Sequence, residues 1–71
     1  MFKLGDKVKR KDTNLKAEEG IMDQNTIQIL KDCNFIGEVS QVQEGLFYVG
    51  FKSKNGWVTQ VFKEKELEAV K

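Results

Sequence analysis

The residues best suited to chemistry lie in GLFYVGFKSKNGWVTQVF, from Gly45 to Phe62, which holds five of the seven aromatic residues of the chain together with Lys52 and Lys54. Rings interleaved with cations can stack on flat bases while neutralising phosphates, as single-strand nucleic-acid platforms do. The same rings can anchor a protein partner, because Tyr and Trp offer a large apolar surface with one polar tip. A plainer reading makes them the outer cover of a small sheet, lying under a helix or a long loop, with the lysine stems snorkelling from the edge.

Catalysis finds little support. A positioned acid, base or nucleophile is needed, and the chain has no histidine, no glycine-rich phosphate loop and no nucleophile motif. Cys33 has only Lys31 nearby to lower its pKa, which suits an inert, partly buried thiol. One cysteine and no histidine cannot build a tetrahedral zinc site. Asp12, Glu18, Glu19 and Asp23 are hard oxygen donors, but their spacing matches no cation loop, so they read as a solvated acidic loop. No enzyme activity and no cofactor are expected.

The chain has 71 residues, 39% of them apolar and 32% charged, without proline. That is one soluble globular domain, residues 1–71, close to the lower size limit for a self-sufficient core. The opening MFKLGDKVKRK lacks the apolar run of a secretory signal, and no segment approaches the roughly 20 apolar residues of a membrane span. With its single cysteine, the chain is expected to be a cytoplasmic monomer with no membrane partner. A net charge of +1 argues against a dedicated nucleic-acid binder. Its distribution is uneven: residues 1–11 carry five basic groups against Asp6, and residues 12–44 carry seven acids against Lys16 and Lys31. Lys7, Lys9 and Lys11 form a basic stripe, either a solvated strand face that discourages edge pairing or a phosphate contact.

Alternation with a period of two places Val8 and Arg10 on one side of a strand over Lys7–Lys11. Asp12 to Gln24 lacks a clean period and reads as a long loop with at most one helical turn. In NTIQILKDCN, Thr26, Ile27, Ile29, Leu30 and Cys33 share one helical side, so a short helix is predicted, with Asn25 as N-cap, Gln28 completing a capping box, and Asn34 closing the C-terminus. Three strand-like runs follow, IGEVSQVQ, LFYVGFK and WVTQVF, separated by Glu44-Gly45 and Asn55-Gly56. After a short charged turn, a last strand runs from Leu67 to Val70.

Taking Asn55-Gly56 as a two-residue type I′ loop pairs Lys54 with Trp57 and, further out, Val49 with Phe62. Opposed residues share a face, so Phe47, Val49, Phe51, Val58 and Phe62 turn inward, while Tyr48, Gly50, Lys52, Lys54, Trp57, Thr59 and Val61 turn outward. Val39 and Val42 are three apart and cannot both face inward on a regular strand. A bulge near Ser40 or Gln41 is therefore predicted.

The layout of Gly5-Asp6-Lys7-Val8, Gly37-Glu38-Val39, Asn55-Gly56-Trp57-Val58 and Glu66-Leu67-Glu68 with Val70 resembles small bacterial SH3-like barrels. Over its whole length the chain resembles the YorP family of small phage and prophage proteins. The resemblance implies a mainly β fold, a five-stranded SH3-like barrel with one short α-helix inserted between the first and second strands, and it supplies no functional residues. Peptide-binding SH3 domains carry aromatic pairs on a long acidic loop, whereas residues 12–25 here contain no aromatic residue. The function read from these residues is a small non-catalytic binding module, with a protein partner first and weak nucleic-acid binding as the alternative. Tyr48, Lys52, Lys54, Trp57 and Thr59, with Lys7 and Lys9 from the first strand, are the candidate binding residues.

Overall fold

Val8, Val39, Phe47, Val49, Phe51, Phe62 and Leu67 come from five different strands, and in the computed structural model they meet in one buried cluster on the inner side of a single antiparallel sheet. The structure describes residues 1–13 and 23–70. Its elements are β1 (Lys7–Arg10), α1 (Gln24–Asp32), β2 (Ile36–Gln43), β3 (Leu46–Ser53), β4 (Gly56–Lys63), a 3₁₀ turn (Glu64–Glu66) and β5 (Leu67–Ala69). The strand order is β4-β3-β2-β1-β5. The five strands are as the alternation predicted, and the helix between the first two is as its one-sided apolar spacing predicted, although Ile27 and Ile29 also alternate as a strand would. Among the described residues, pairing ends at β4 on one edge and β5 on the other, so the sheet is not closed into a barrel. No helix among them is long and apolar enough to cross a membrane. The expected loop from Asp12 to Gln24, with Lys16, Glu18 and Glu19, lies over residues 14–22 outside the described residues.

The predicted bulge is present. Val39 pairs with Val49 and Gln41 with Tyr48, leaving Ser40 as the extra residue, and its hydroxyl donates to the Tyr48 carbonyl at 3.2 Å. The bulge lets Val39 point inward while Val42, opposite Phe47 near the strand end, stays 41% exposed. Glu44 and Gly45 have φ of 52° and 77°, the double positive φ of a type I′ hairpin turn.

The second hairpin corrects the sequence reading. Lys52, not Lys54, pairs with Trp57, Phe47 pairs with Phe62, and the turn is Lys54-Asn55 between Ser53 and Gly56. Neither Lys54 nor Asn55 has positive φ; only Gly56 does, at 128°. Asn55 thus occupies the third position of a tight turn and Gly56 the fourth, where glycine is favoured by its freedom at positive φ. The shift moves partners by two residues along the strand, so each side chain keeps its face. Phe47, Val49, Phe51 and Phe62 are buried and Val58 is half-buried, as predicted.

The helix N-cap is also corrected. Asp23, not Asn25, caps α1, its Oδ1 accepting the Thr26 N–H at 2.7 Å. Both residue types cap well, and the helix extends two residues further upstream than the Asn25 reading allowed. At the other end Asn34 lies at φ 56° as predicted, and Phe35 follows at φ 62°. The Phe35 N–H bonds the Leu30 carbonyl at 2.8 Å and the Asn34 N–H bonds the Lys31 carbonyl at 3.1 Å, a Schellman closure that folds Phe35 back onto the core. Ile29 and Leu30 carry α1 onto the inner side of the sheet, against β3 and β4. Cys33 is half-buried, its thiol donating to the Leu30 carbonyl at 3.4 Å.

A polar link ties the helix end to the hairpin tip. The Asp32 carboxylate accepts from Gln28 Nε2 at 2.8 Å and from Asn55 Nδ2 at 2.6 Å. These bonds favour the charged form and hold Asp32 below the usual carboxylate range, Gln28 contributing most and Asn55 next. Asp23 is lowered chiefly by the Thr26 backbone N–H. A depressed folded-state pKa contributes stability that is complete above the unfolded value, about 3.9, and lost as pH falls through the folded value. Urea midpoints are therefore expected to hold from pH 7 to about 5 and to drop below about 4. Asp32→Asn should flatten part of that acid limb; an unchanged limb in Asp32→Asn and Asp23→Asn alike would refute the assignment.

Candidate functional site

The outer face of the sheet is built row by row. Lys7 of β1 stands opposite Glu38 of β2, Glu38 opposite Gly50 of β3, and Gly50 opposite Thr59 of β4. One row along, Lys52 faces Trp57. These residues, with Ile36 of β2, line an open groove of ≈ 760 Å³. Gly50 makes its floor: a Cβ built there would meet nothing within 4 Å. Leu4, in the turn before β1, and Trp57, on β4, are 66% and 69% exposed and both line it. Glu38 lies between Lys7 and Lys52, and the Ser40 and Thr59 hydroxyls add neutral polar groups.

The Leu4 wall is set by tertiary contacts. Gly5, at φ 87°, donates its N–H to the Val39 carbonyl at 2.8 Å, and Val39 returns its N–H to the Asp6 carbonyl at 3.0 Å. The Asp6 carboxylate closes the turn by accepting the Lys3 N–H at 2.8 Å. Together these bonds lay the N-terminal turn along β2. Trp57 owes its exposure to the opposite arrangement, because α1 occupies the inner side of the sheet.

Four of the seven candidate residues, Lys7, Lys52, Trp57 and Thr59, line this groove, and three do not. Tyr48 is on the same face but half-buried, paired with Val61 and Gln41. It sits four residues along β3 from Lys52, about 13 Å at strand rise, so the two rings do not stack as a pair. Lys54 is in the turn, and Lys9 faces Glu68 of β5. Leu4, Glu38 and Ser40 escaped the sequence reading. Glu38 was available from the alternation that turns Val39 inward; Leu4 had no periodic signal. Among the described residues no group of acidic or cysteine side chains could hold a metal ion.

Neither protein-family models, curated proteins nor solved structures give a match to this chain.

Proposed function

We propose that this chain is a small non-catalytic binding module that takes a protein partner in the groove lined by Leu4 and Trp57. The observation that carries the reading is the exposure of these two large apolar side chains in a groove whose floor has no side chain. Exposed apolar surface rimmed by polar groups marks interaction sites, and Trp is enriched among the residues that dominate binding energy. Glu38 favours a protein over a nucleic acid, because it sets a carboxylate beside Lys7 where a phosphate backbone would run. The fold part of the proposal is an SH3-like barrel left open between β4 and β5. The strand order, with the last strand beside the first, and the bulge at Ser40 support it. The same reading keeps the chain with the YorP-like proteins of phages and prophages, acting in the cytoplasm, on its residue pattern and lone cysteine.

Affinity capture from bacterial lysate followed by titration of the recovered protein tests this. Trp57→Ala and Leu4→Ala should each abolish or strongly weaken binding, and Lys9→Ala, outside the groove, should leave it intact. Trp57 is mostly exposed, so Trp57→Ala should cost less than about 1 kcal/mol of stability. Binding that survives both groove variants would refute the site. Labelled oligonucleotide that shifts the Trp57 and Lys52 resonances, with an affinity falling steeply with salt, would replace the protein reading with the nucleic-acid one.

A further inference from the structure

Among the described residues, strand β4 is a sheet edge without the usual protection. It pairs on one side only among them, with β3, over all eight residues and without a bulge. It contains no proline, and its only charge is Lys63 at the last position. Natural edges are normally kept short, charged, bulged or proline-bearing to prevent pairing with another chain. The opposite edge fits that rule: β5 has three residues and carries Glu68 at its centre. On β4 the outward side chains are Trp57, Thr59, Val61 and, at the last position, Lys63, and Trp57 and Val61 are 69% and 46% exposed.

This edge is complementary to itself. Antiparallel pairing of a strand with its own copy requires a two-fold axis through one residue, so that opposed side chains share a face. With the axis at Thr59, Thr59 meets Thr59, Trp57 meets Val61 twice, and Val58 meets Gln60 twice. Thr–Thr and aromatic–β-branched pairs are among the favourable cross-strand combinations. An axis at Val58 would leave Val61 against the turn residue Asn55. An axis at Gln60 would offer a partner to Gln60 Oε1, a buried acceptor that has none among the described residues, but would set Trp57 against Lys63 and Val61 against Thr59. Only the Thr59 axis joins the two exposed apolar side chains to each other.

We propose that two copies of this chain associate by antiparallel pairing of β4 with β4 about Thr59. The two five-stranded sheets then run on as one, with both outer faces on the same side of it. Each groove opens on that shared surface, so a monomer becomes a two-site platform. The proposal does not depend on what the groove binds.

Two such edges cover less area than a standard interface of about 1,200–2,000 Å², so the dimer is weak and depends on concentration. Sedimentation from about 10 µM to about 1 mM should show wild-type protein passing from monomer to dimer. Thr59 is exposed, so Thr59→Lys and Thr59→Glu should fold, with unchanged circular dichroism. Each alone places like charges on the axis and should weaken the dimer about fivefold or more. A one-to-one mixture of the two variants should restore it. In wild type, alternate β4 amides should gain protection from hydrogen exchange as concentration rises, a readout that needs no substitution. Wild type that stays monomeric to about 1 mM overturns the proposal and leaves the edge to a strand from another protein. A dimer indifferent to Thr59→Lys, or a mixture that fails to recover, overturns the pairing about Thr59.

Discussion

Phe51→Ala is expected to lower the unfolding free energy by about 3 to 5 kcal/mol, read as the loss of the native baseline in circular dichroism without denaturant. Phe51 is fully buried near the middle of β3, opposite Val58, and its ring meets Phe62 edge-on at a centroid distance of 6.0 Å. Truncation removes the apolar contacts and leaves a cavity that the rigid sheet backbone closes only in part. A chain of this size has roughly 3 to 5 kcal/mol in its whole core, so the variant should be largely unfolded at 25 °C. A loss below about 1 kcal/mol would mean that this ring does not sit in the dry interior.

Gly37→Ala should be nearly as damaging, for the opposite reason. Gly37 is buried, and a Cβ there would lie 2.6 Å from the Gly50 carbonyl oxygen, 2.7 Å from Val49 Cγ1 and 2.9 Å from Phe51 Cδ1. The nearest of these is backbone, which cannot rotate away, so β2 and β3 must separate where Glu38 pairs with Gly50. Overpacking of this kind costs about 1 to 3 kcal/mol, and the upper half of that range is expected because the ladder is strained as well. Gly50→Ala is the matched control. It adds the same methyl on the next strand, into open space at the groove floor, and should change stability by no more than about 0.5 kcal/mol. Equal losses at Gly37 and Gly50 would show that strand glycines matter here only through backbone entropy, not through close approach.

The division of side chains between the two faces was legible because it is a local property. Each strand residue's Cβ points opposite to its neighbour's, so Phe47, Val49 and Phe51 separate from Tyr48 and Lys52 without any knowledge of partners. The bulge at Ser40 followed from the same rule, since Val39 and Val42 conflict within one strand. Choices between locally equal alternatives went astray. Asn-Gly serves a type I′ turn or the third and fourth positions of a turn ending in glycine, and the second is found, tied to α1 by the Asn55–Asp32 bond. Asp23 and Asn25 are both good caps, and the helix starts at the former. Because the hairpin error was a shift of two, it changed Trp57's partner from Lys54 to Lys52 and left Trp57 outside.

What only the tertiary structure decided is which face of the sheet α1 covers, where Leu4 lies, and which strand is left as an open edge. From sequence, the aromatic outer face could be a ligand surface or a covered one, and the covered reading was the plainer of the two. The answer depends on Ile29 and Leu30 packing in one core with Phe51 and Phe62, more than twenty positions away. Likewise the Gly5–Val39 backbone bonds that carry Leu4 to the groove join residues 34 positions apart. Periodicity is set by each residue's own geometry and can be read from a few neighbours. Docking across the fold is set by the summed burial of many side chains at once, and no short stretch of sequence holds that sum.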